Sequence, residues 1–219
     1  MFKNVNISLH YSKSKKFNRN FIINKNKIFK IFYNLKKEDQ KNKIKILQSF
    51  KKNYKYSYSK KLVNNFKKYK NVILIGMGGS ILGFKSIFSF LRHDINKRFF
   101  FLDNLDEQLL LQVSKLNKEE TCVIVVSKSG NTLETILNFN CVKKLITKKN
   151  LLIICEKKNN LIYNLSKSLH AFAINHNEKI GGRFSVLSEV GMFPSSIAGL
   201  NTKSFKNDIF LSDKKFINS

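Results

Sequence analysis

The sequence predicts an α/β fold, a three-layer sandwich around a five-stranded parallel sheet, preceded by a helical N-terminal extension. Three observations support this prediction. Five short runs are apolar on both faces, as strands are when helices cover both sides of a parallel sheet. The segments between these runs carry apolar residues at helical spacing. Glycine or polar residues follow the runs directly, at the sheet edge where ligands bind in such folds.

Residues 1–68 form the predicted extension. They are rich in Lys, Asn and Phe, and they contain neither Gly nor Pro. Apolar residues recur with helical spacing, as at Ile28, Ile31 and Leu35. The composition of the first twenty residues leaves room for partial disorder at that end of the helical segment.

Residues 69–200 form the predicted α/β domain. Its strands are expected at 72–75, 99–102, 122–126, 151–154 and 171–174, and its helices include 81–91, 105–116 and 133–146. Parallel strands joined through helices require right-handed crossovers. Residues 201–219 are expected to begin a linker or helix that is truncated.

The charge of the chain is strongly positive: 41 Lys and Arg face 14 Asp and Glu, a net charge of +27. Such a charge suggests a polyanion partner such as nucleic acid. However, the basic residues are spread along the whole chain, and the favoured residues Lys, Asn, Ile and Phe have A/T-rich codons. Base composition is therefore the preferred explanation, which makes nucleic acid an unlikely partner. A weaker attraction of anionic metabolites stays open.

The three cysteines form no C-x-x-C pair and are interpreted as reduced. No apolar run approaches the length of a membrane span, and the first residues do not resemble a signal peptide. A cytoplasmic protein without a membrane partner is expected.

The first motif is Gly76-Met77-Gly78-Gly79-Ser80, between the first predicted strand and a helix. Glycines let the backbone approach a ligand closely, and free amides at a helix start favour an anion such as phosphate. The alternative is a simple strand–helix turn in which Ser80 caps the helix. The spacing matches neither a Walker loop nor a dinucleotide-binding motif.

The second motif runs from Ser127 to Thr135 after the third strand, with the sequence SKSGNTLET. Its hydroxyls and amides form a predicted neutral cup for a phosphate. Asn131 and Glu134 have the spacing of a capping box, so Glu134 is interpreted as structural. Lys128 is expected to face away from the cup, because adjacent residues point in opposite directions.

The third motif is Gly181-Gly182-Arg183-Phe184-Ser185, before a helix predicted at 186–190. Paired glycines allow the backbone and a guanidinium to approach a ligand together. Arg183 is always protonated and is suited to stabilise developing negative charge. A structural salt bridge of Arg183 is the alternative.

The three motifs, in this order and spacing, resemble those of the glucose-6-phosphate isomerase family, over about residues 65–200. The family's G-x-G-G-S-x-L-G is present at 76–83, its S-K-T/S-x-x-T-x-E-T at 127–135, and its G-G-R-F/Y-S at 181–185. The second motif is shared with the wider sugar isomerase (SIS) superfamily. The resemblance implies an SIS-type phosphosugar-binding domain that interconverts an aldose and a ketose through an enediolate.

The resemblance also implies roles for individual residues. Arg183 is the catalytic residue that stabilises the enediolate. The substrate-binding residues are Gly79, Ser80, Ser127, Lys128, Ser129, Thr132 and Gly182. The expected ligands are glucose 6-phosphate and fructose 6-phosphate. Neither a metal nor an organic cofactor is implied, and members of the family are homodimers with shared sites.

One departure from the family pattern shapes the functional prediction. The family carries a second SIS domain, which supplies a glutamate base and the histidine and lysine linked to ring opening. Nothing in this chain matches that region, and His10, His93, His170 and His176 do not correspond to the family histidine. The chain is therefore expected to be a fragment or split form that needs a second chain for activity. A non-catalytic SIS module is the alternative.

Overall fold

A computed structural model describes residues 15–206 of the protein. The chain divides into two compact units, with the division between Ile44 and Lys45. The first unit contains helix α1 (Lys15–Gln40), which lies in the segment where a helical extension was predicted. After α1 the chain turns, and Lys43 Nζ lies 3.2 Å from Glu38 Oε2. The predicted disorder in the first twenty residues falls mostly outside the described residues.

The second unit is built on a five-stranded parallel sheet with the strand order β2-β1-β3-β4-β5. The strands are β1 (Asn71–Ile75), β2 (Arg98–Leu102), β3 (Thr121–Val126), β4 (Leu151–Cys155) and β5 (Phe172–Asn175). Each predicted strand is present to within one residue at either end. All four pairs of neighbouring strands are parallel, which confirms the predicted α/β class.

Helices cover both faces of the sheet and make it the middle of three layers. Helices α2 (Lys60–Lys67), α3 (Leu82–Phe90) and α7 (Glu189–Ile197) pack on one face, and α4 (Glu107–Ser114), α5 (Leu133–Cys141) and α6 (Leu161–Ser168) pack on the other. Alternate residues of one strand enter opposite cores: Leu74 lies with Phe84 and Phe193, whereas Ile73 lies with Phe139 and Ile162. This alternation explains why each strand is apolar at every position.

Residues 45–67 pack as part of this second unit, although the sequence assigned them to the extension. Val63 and Phe66 of α2 lie in the same core as Phe193 of α7. Tyr58 meets the Phe193 ring edge to face, with ring centroids 5.2 Å apart. These aromatic contacts anchor the segment that precedes the sheet, and lone helical periodicity gave no sign of them.

Helix α7 differs from its prediction. It begins at Glu189 rather than at residue 186, because the Ser188 side chain accepts a hydrogen bond from Val190 N and caps the helix there. Val186 instead lies in the turn before α7, against Gly83 of α3. The residues between the third motif and α7 therefore pack on the sheet domain in a non-helical conformation.

A lysine is buried against the tyrosines that precede α2. Lys206, in the last described turn (Ser204–Lys206), is 5% exposed, and its Nζ lies 4.7 Å from the Tyr54 ring centroid and 4.3 Å from that of Tyr56. Within the described residues this Nζ has no hydrogen-bond partner. Residues 207–219, the rest of the predicted linker, lie outside the described part of the chain.

Burial lowers the pKa of Lys206 to about 8, and the nearby Glu189 carboxylate opposes this shift. The unfolded chain therefore keeps this proton up to a higher pH than the folded chain does. Stability rises with pH between about 8 and 10.5 on account of Lys206, and below pH 8 the buried charge lowers stability. In the described part of the chain, no helix is long and apolar enough to cross a membrane.

Candidate functional site

The first two motifs meet at the carboxyl edge of the sheet, where β1 and β3 are neighbours. The chain leaves β1 toward β2 on one side, while β3 continues toward β4 on the other, so this is the topological switch point. The two loops are in contact here: a Cβ at Gly76 would lie 3.0 Å from the Val126 carbonyl oxygen. A crevice at such a point is the usual ligand site of an open α/β sheet.

Both helices that begin at this switch point lack a side-chain cap. The N-cap of α3 is Ile81, which has no polar atom, and the N-cap of α5 is Thr132, whose side chain makes no capping hydrogen bond. By contrast, α2, α4, α6 and α7 are capped by Ser59, Asp106, Asn160 and Ser188. Uncapped first-turn amides, together with the positive end of the helix dipole, favour an anion.

The loop after β3 places three hydroxyls at the start of α5. Ser127 Oγ lies 3.3 Å from Thr132 Oγ1 and accepts a hydrogen bond from Gly130 N at 3.1 Å. Ser129 is exposed, and Ser127 is 2% exposed. Gly130 has a φ of 73°, a left-handed conformation that suits glycine. Ser127 therefore shapes the loop, while Ser129 and Thr132 remain accessible.

The predicted capping box of α5 is wrong. The N-cap is Thr132, one residue later than expected, and Asn131 Oδ1 accepts a hydrogen bond from Leu161 N at the start of α6. Glu134 is half-buried in the first turn of α5, and it makes no hydrogen bond or ion pair with any described residue. Its carboxylate is thus free of the structural role that the sequence pattern suggested.

The third motif lies on the first. A Cβ at Gly79 would come closer than 3.0 Å to the Gly182 carbonyl and would lie 2.8 Å from Arg183 N. Ser185 Oγ donates to Gly79 O at 3.0 Å and ties the same two loops together. Glycine at position 79 is therefore required by the close approach of two backbones. The sequence placed the motifs at one edge, but it did not show this contact.

The side chain of Arg183 is exposed and forms no ion pair with residues 15–206. The structural salt bridge considered for it is absent from that part of the chain. Ser80, expected in one interpretation to cap α3, instead ends a 3-10 turn (Gly78–Ser80), and Ile81 holds the cap position. Both polar side chains are thereby left without structural duties among the described residues.

Lys128 points toward β4 and β5, as its position next to Ser127 predicted. Its Nζ donates to the Glu178 carbonyl oxygen at 2.9 Å and lies 3.6 Å from Glu156 Oε1. Burial opposes ionisation of Glu156, but Lys158 and Lys128 outweigh this effect and hold the pKa of that carboxyl below its ordinary value. The lysine charge is thus shared with a carboxylate rather than directed at the hydroxyls.

Comparison with known proteins follows the same pattern as the motifs. A family model described as phosphoglucose isomerase matches residues 34–218. A probable glucose-6-phosphate isomerase of Methanococcus maripaludis is 34% identical over 147 residues, which cover 63% of this chain and 34% of that protein. The glucose-6-phosphate isomerase of Methanocaldococcus jannaschii is 37% identical over 139 residues, 61% of this chain and 34% of that protein.

Solved structures give the same result for the fold. A glucose-6-phosphate isomerase from Chlamydia trachomatis superposes with a TM-score of 0.57 at 28% identity, covering 67% of this chain and 29% of that one. A hypothetical protein from Thermus thermophilus gives a TM-score of 0.60 at 27% identity, with 66% and 37% covered. The chain spans about a third of the length of the curated relatives it matches.

Proposed function

The chain belongs to the phosphoglucose isomerase family, and from this premise we propose that it binds the phosphate of a hexose 6-phosphate at the β1/β3 edge of its sheet. The reaction proposed for the whole enzyme is aldose–ketose isomerisation between glucose 6-phosphate and fructose 6-phosphate. In this proposal the phosphate lies at the uncapped starts of α3 and α5. Ser80, Ser127, Ser129 and Thr132 provide the surrounding hydroxyls.

The observation that carries the proposal is the backbone contact between Gly79 and the Gly182–Arg183 peptide. This contact joins the phosphate loops to the only arginine of the three motifs. A sugar held by its phosphate at the helix starts would then extend toward the guanidinium. Isomerisation passes through an enediolate, and a permanently protonated Arg183 stabilises the negative charge that develops on its oxygens.

A general base is also needed to move the proton between the two carbons. Two of the glutamates in the second half of the described chain are engaged: Glu178 lies 3.3 Å from Lys158 Nζ, and Glu189 accepts hydrogen bonds from Tyr54 and Ser57. The family resemblance places the base in a second domain, so we assign it to residues that a second domain or chain supplies. Glu134, half-buried and unpaired within residues 15–206, is the candidate if this chain turns over alone.

The surroundings of the edge support a covering domain or chain. Leu82, Leu133 and Leu161 are the first residues of α3, α5 and α6, and they are 51%, 64% and 46% exposed. Phe184 of the third motif is 39% exposed. Apolar side chains that ring a polar crevice are typical of a surface that another domain covers.

Binding is tested by calorimetry at low salt with the full chain. We expect glucose 6-phosphate to bind more tightly than inorganic phosphate. Ser129→Ala and Thr132→Ala should weaken this binding more than Lys128→Ala, by roughly 1.5–3 kcal/mol for each lost hydrogen bond to the charged phosphate. A dominant effect of Lys128→Ala would show that the cup is electrostatic and would contradict the assigned orientation.

Catalysis is tested by a coupled assay of fructose 6-phosphate conversion, with protein free of host isomerase. We expect the chain alone to show no turnover above that of Arg183→Ala, because a missing general base removes about 10²–10⁴-fold in rate. Turnover that Arg183→Ala abolishes would contradict this expectation. Glu134→Gln then decides whether the base lies within the chain.

A further inference from the structure

A second cavity lies at the carboxyl ends of β4 and β5, away from the three motifs. Its volume is about 500 Å³, within the range of small-molecule sites. Its walls come from the loop after β4, the loop after β5, the start of α7 and the segment before α2. Among the described residues that line it, none belongs to the glycine-containing loops of the proposed phosphosugar site.

One wall of this cavity holds a histidine with an unmet hydrogen bond. His176 follows β5, is 2% exposed, and its Nδ1 has no hydrogen-bond partner among the described residues. Burial lowers the pKa of His176, Lys128 lowers it further, and Glu156 and a hydrogen bond with the Ile180 backbone oppose this. The ring is therefore neutral at pH 7.

The Ile180 contact identifies the proton position on this neutral ring. A backbone hydrogen bond that raises a histidine pKa is one in which the ring donates. Since Nδ1 is unpartnered, we assign the donated proton to Nε2. Nδ1 is then a bare acceptor in a polar cavity, and it calls for a donor such as a hydroxyl.

The charges around the cavity determine the sign of its ligand. Glu156 and Glu178 are paired with Lys158, whose Nζ lies 2.8 Å and 3.3 Å from their carboxylates. Glu189 accepts from Tyr54 Oη at 3.0 Å and from Ser57 N at 3.1 Å. The lining carboxylates are thus already satisfied by protein donors.

Three further lysines line the cavity without such pairing. Lys55, Lys157 and Lys179 are exposed, and their ammonium groups form no ion pair or hydrogen bond with residues 15–206. Paired carboxylates and unpaired ammonium groups favour an anionic ligand over a cationic one.

We propose that this cavity is a second binding site, for a small hydroxylated anion that is either a phosphate ester or a hydroxy acid. A hydroxyl of the ligand donates to His176 Nδ1, and its anionic group lies among Lys55, Lys157 and Lys179. The cavity is larger than inorganic phosphate requires, so the hydroxylated part of the ligand contributes to recognition. This site does not depend on the function proposed for the β1/β3 edge.

The test uses the full chain carrying Ser129→Ala and Thr132→Ala, so that the proposed phosphosugar site does not contribute. Calorimetry measures the affinity for glycerol 3-phosphate, D-glycerate, inorganic phosphate and glycerol. Lys157→Ala with Lys179→Ala removes two charges at the cavity. Lys143→Ala with Lys144→Ala removes two exposed charges after α5 and is the matched control. His176→Phe removes the acceptor and preserves an aromatic ring.

We expect glycerol 3-phosphate or D-glycerate to bind more tightly than inorganic phosphate and glycerol. Removal of Lys157 and Lys179 should weaken that binding about tenfold, whereas the control pair changes it about twofold at most. His176→Phe should reduce the preference for glycerol 3-phosphate over inorganic phosphate. A stronger phosphate ester than hydroxy acid, or the reverse, identifies which anion the site takes.

Three results overturn the proposal. The first is no binding of either hydroxylated anion. The second is an equal loss of affinity in the two lysine pairs, which would indicate attraction by net charge alone. The third is equal affinity for inorganic phosphate and glycerol 3-phosphate in the parent protein, which would remove the hydroxyl contact. Because the lysine variants are surface changes, they remain informative if His176→Phe fails to fold.

Discussion

Substitution of Gly79 by Ala tests the contact on which the proposed function depends. The added methyl would be closer than 3.0 Å to the Gly182 carbonyl carbon and oxygen and 2.8 Å from Arg183 N. These are backbone atoms, so no side-chain rotation relieves the overlap. The first and third motifs must separate by about 1 Å to restore ordinary contact distances. This movement also breaks the Ser185 Oγ to Gly79 O hydrogen bond.

The expected loss of stability follows from these two effects. Overpacking of this kind destabilises by about 1–3 kcal/mol, and the lost hydrogen bond adds about 1 kcal/mol. We therefore expect Gly79→Ala to lower the unfolding free energy by roughly 3 kcal/mol, measured by urea unfolding of the full chain at pH 7. Glucose 6-phosphate binding should fall by about tenfold or more, because a shift of 1 Å misplaces Arg183.

Gly181→Ala is the matched control in the same loop. A Cβ at Gly181 would lie 3.7 Å from Phe184 Cδ2, an ordinary contact, and its φ of −67° is accessible to alanine. This variant should retain wild-type stability or gain about 0.5 kcal/mol. The same urea midpoint and the same affinity in Gly79→Ala and Gly181→Ala would refute the close backbone approach and, with it, the joined site.

Two further substitutions probe the surroundings of the site. Gly130→Ala should destabilise by about 2–3 kcal/mol, because its φ is 73° and the methyl would displace Asn160, the cap of α6. Gly78→Ala, at a φ of 52° with no atom within 4 Å, should lose only about 1 kcal/mol, and equal losses would contradict the Asn160 contact. Lys206→Met should raise the unfolding free energy at pH 7 by about 2 kcal/mol, since the lowered lysine pKa corresponds to roughly 3 kcal/mol and the cation–π contacts return about 1 kcal/mol. Its advantage over wild type should shrink between pH 8 and 10.5 in chemical unfolding, and a constant advantage would show that Lys206 is not buried as a charge.

The elements of the sheet were predictable because their signals are local. A strand covered on both faces is apolar at every position, so β1, β3 and β4 each appear as a continuous run. The start of α7 was misplaced because Val186 packs against Gly83, a contact between residues distant in sequence. Similarly, the role of residues 45–67 depends on packing against α7, which no local pattern records.

The candidate site was predicted as a set of motifs, but its internal geometry was not. Spacing alone suggested a capping box with Asn131, whereas the chain uses Asn131 to hold the start of α6 and leaves α5 uncapped. The alternative bonding of a short polar side chain depends on a neighbouring loop, so local sequence does not decide it. The second cavity went unnoticed because His176 and the rim lysines stand in a sequence that is basic throughout.

The high positive charge of the chain has different consequences for the two sites. At the β1/β3 edge, the proposed ligands for phosphate are neutral hydroxyls and backbone amides, and the nearby Lys128 is directed at Glu156 and Glu178. Recognition there rests on short hydrogen bonds in a shaped loop, which salt screens little. At the second cavity, the anion meets exposed and unpaired ammonium groups, whose attraction salt screens over about 10 Å at 0.1 M. The net charge of +27 therefore raises the concentration of anions near both sites, but it discriminates between ligands at neither. Discrimination must come from the fixed neutral groups, the hydroxyls of the β3–α5 loop in one site and the imidazole of His176 in the other.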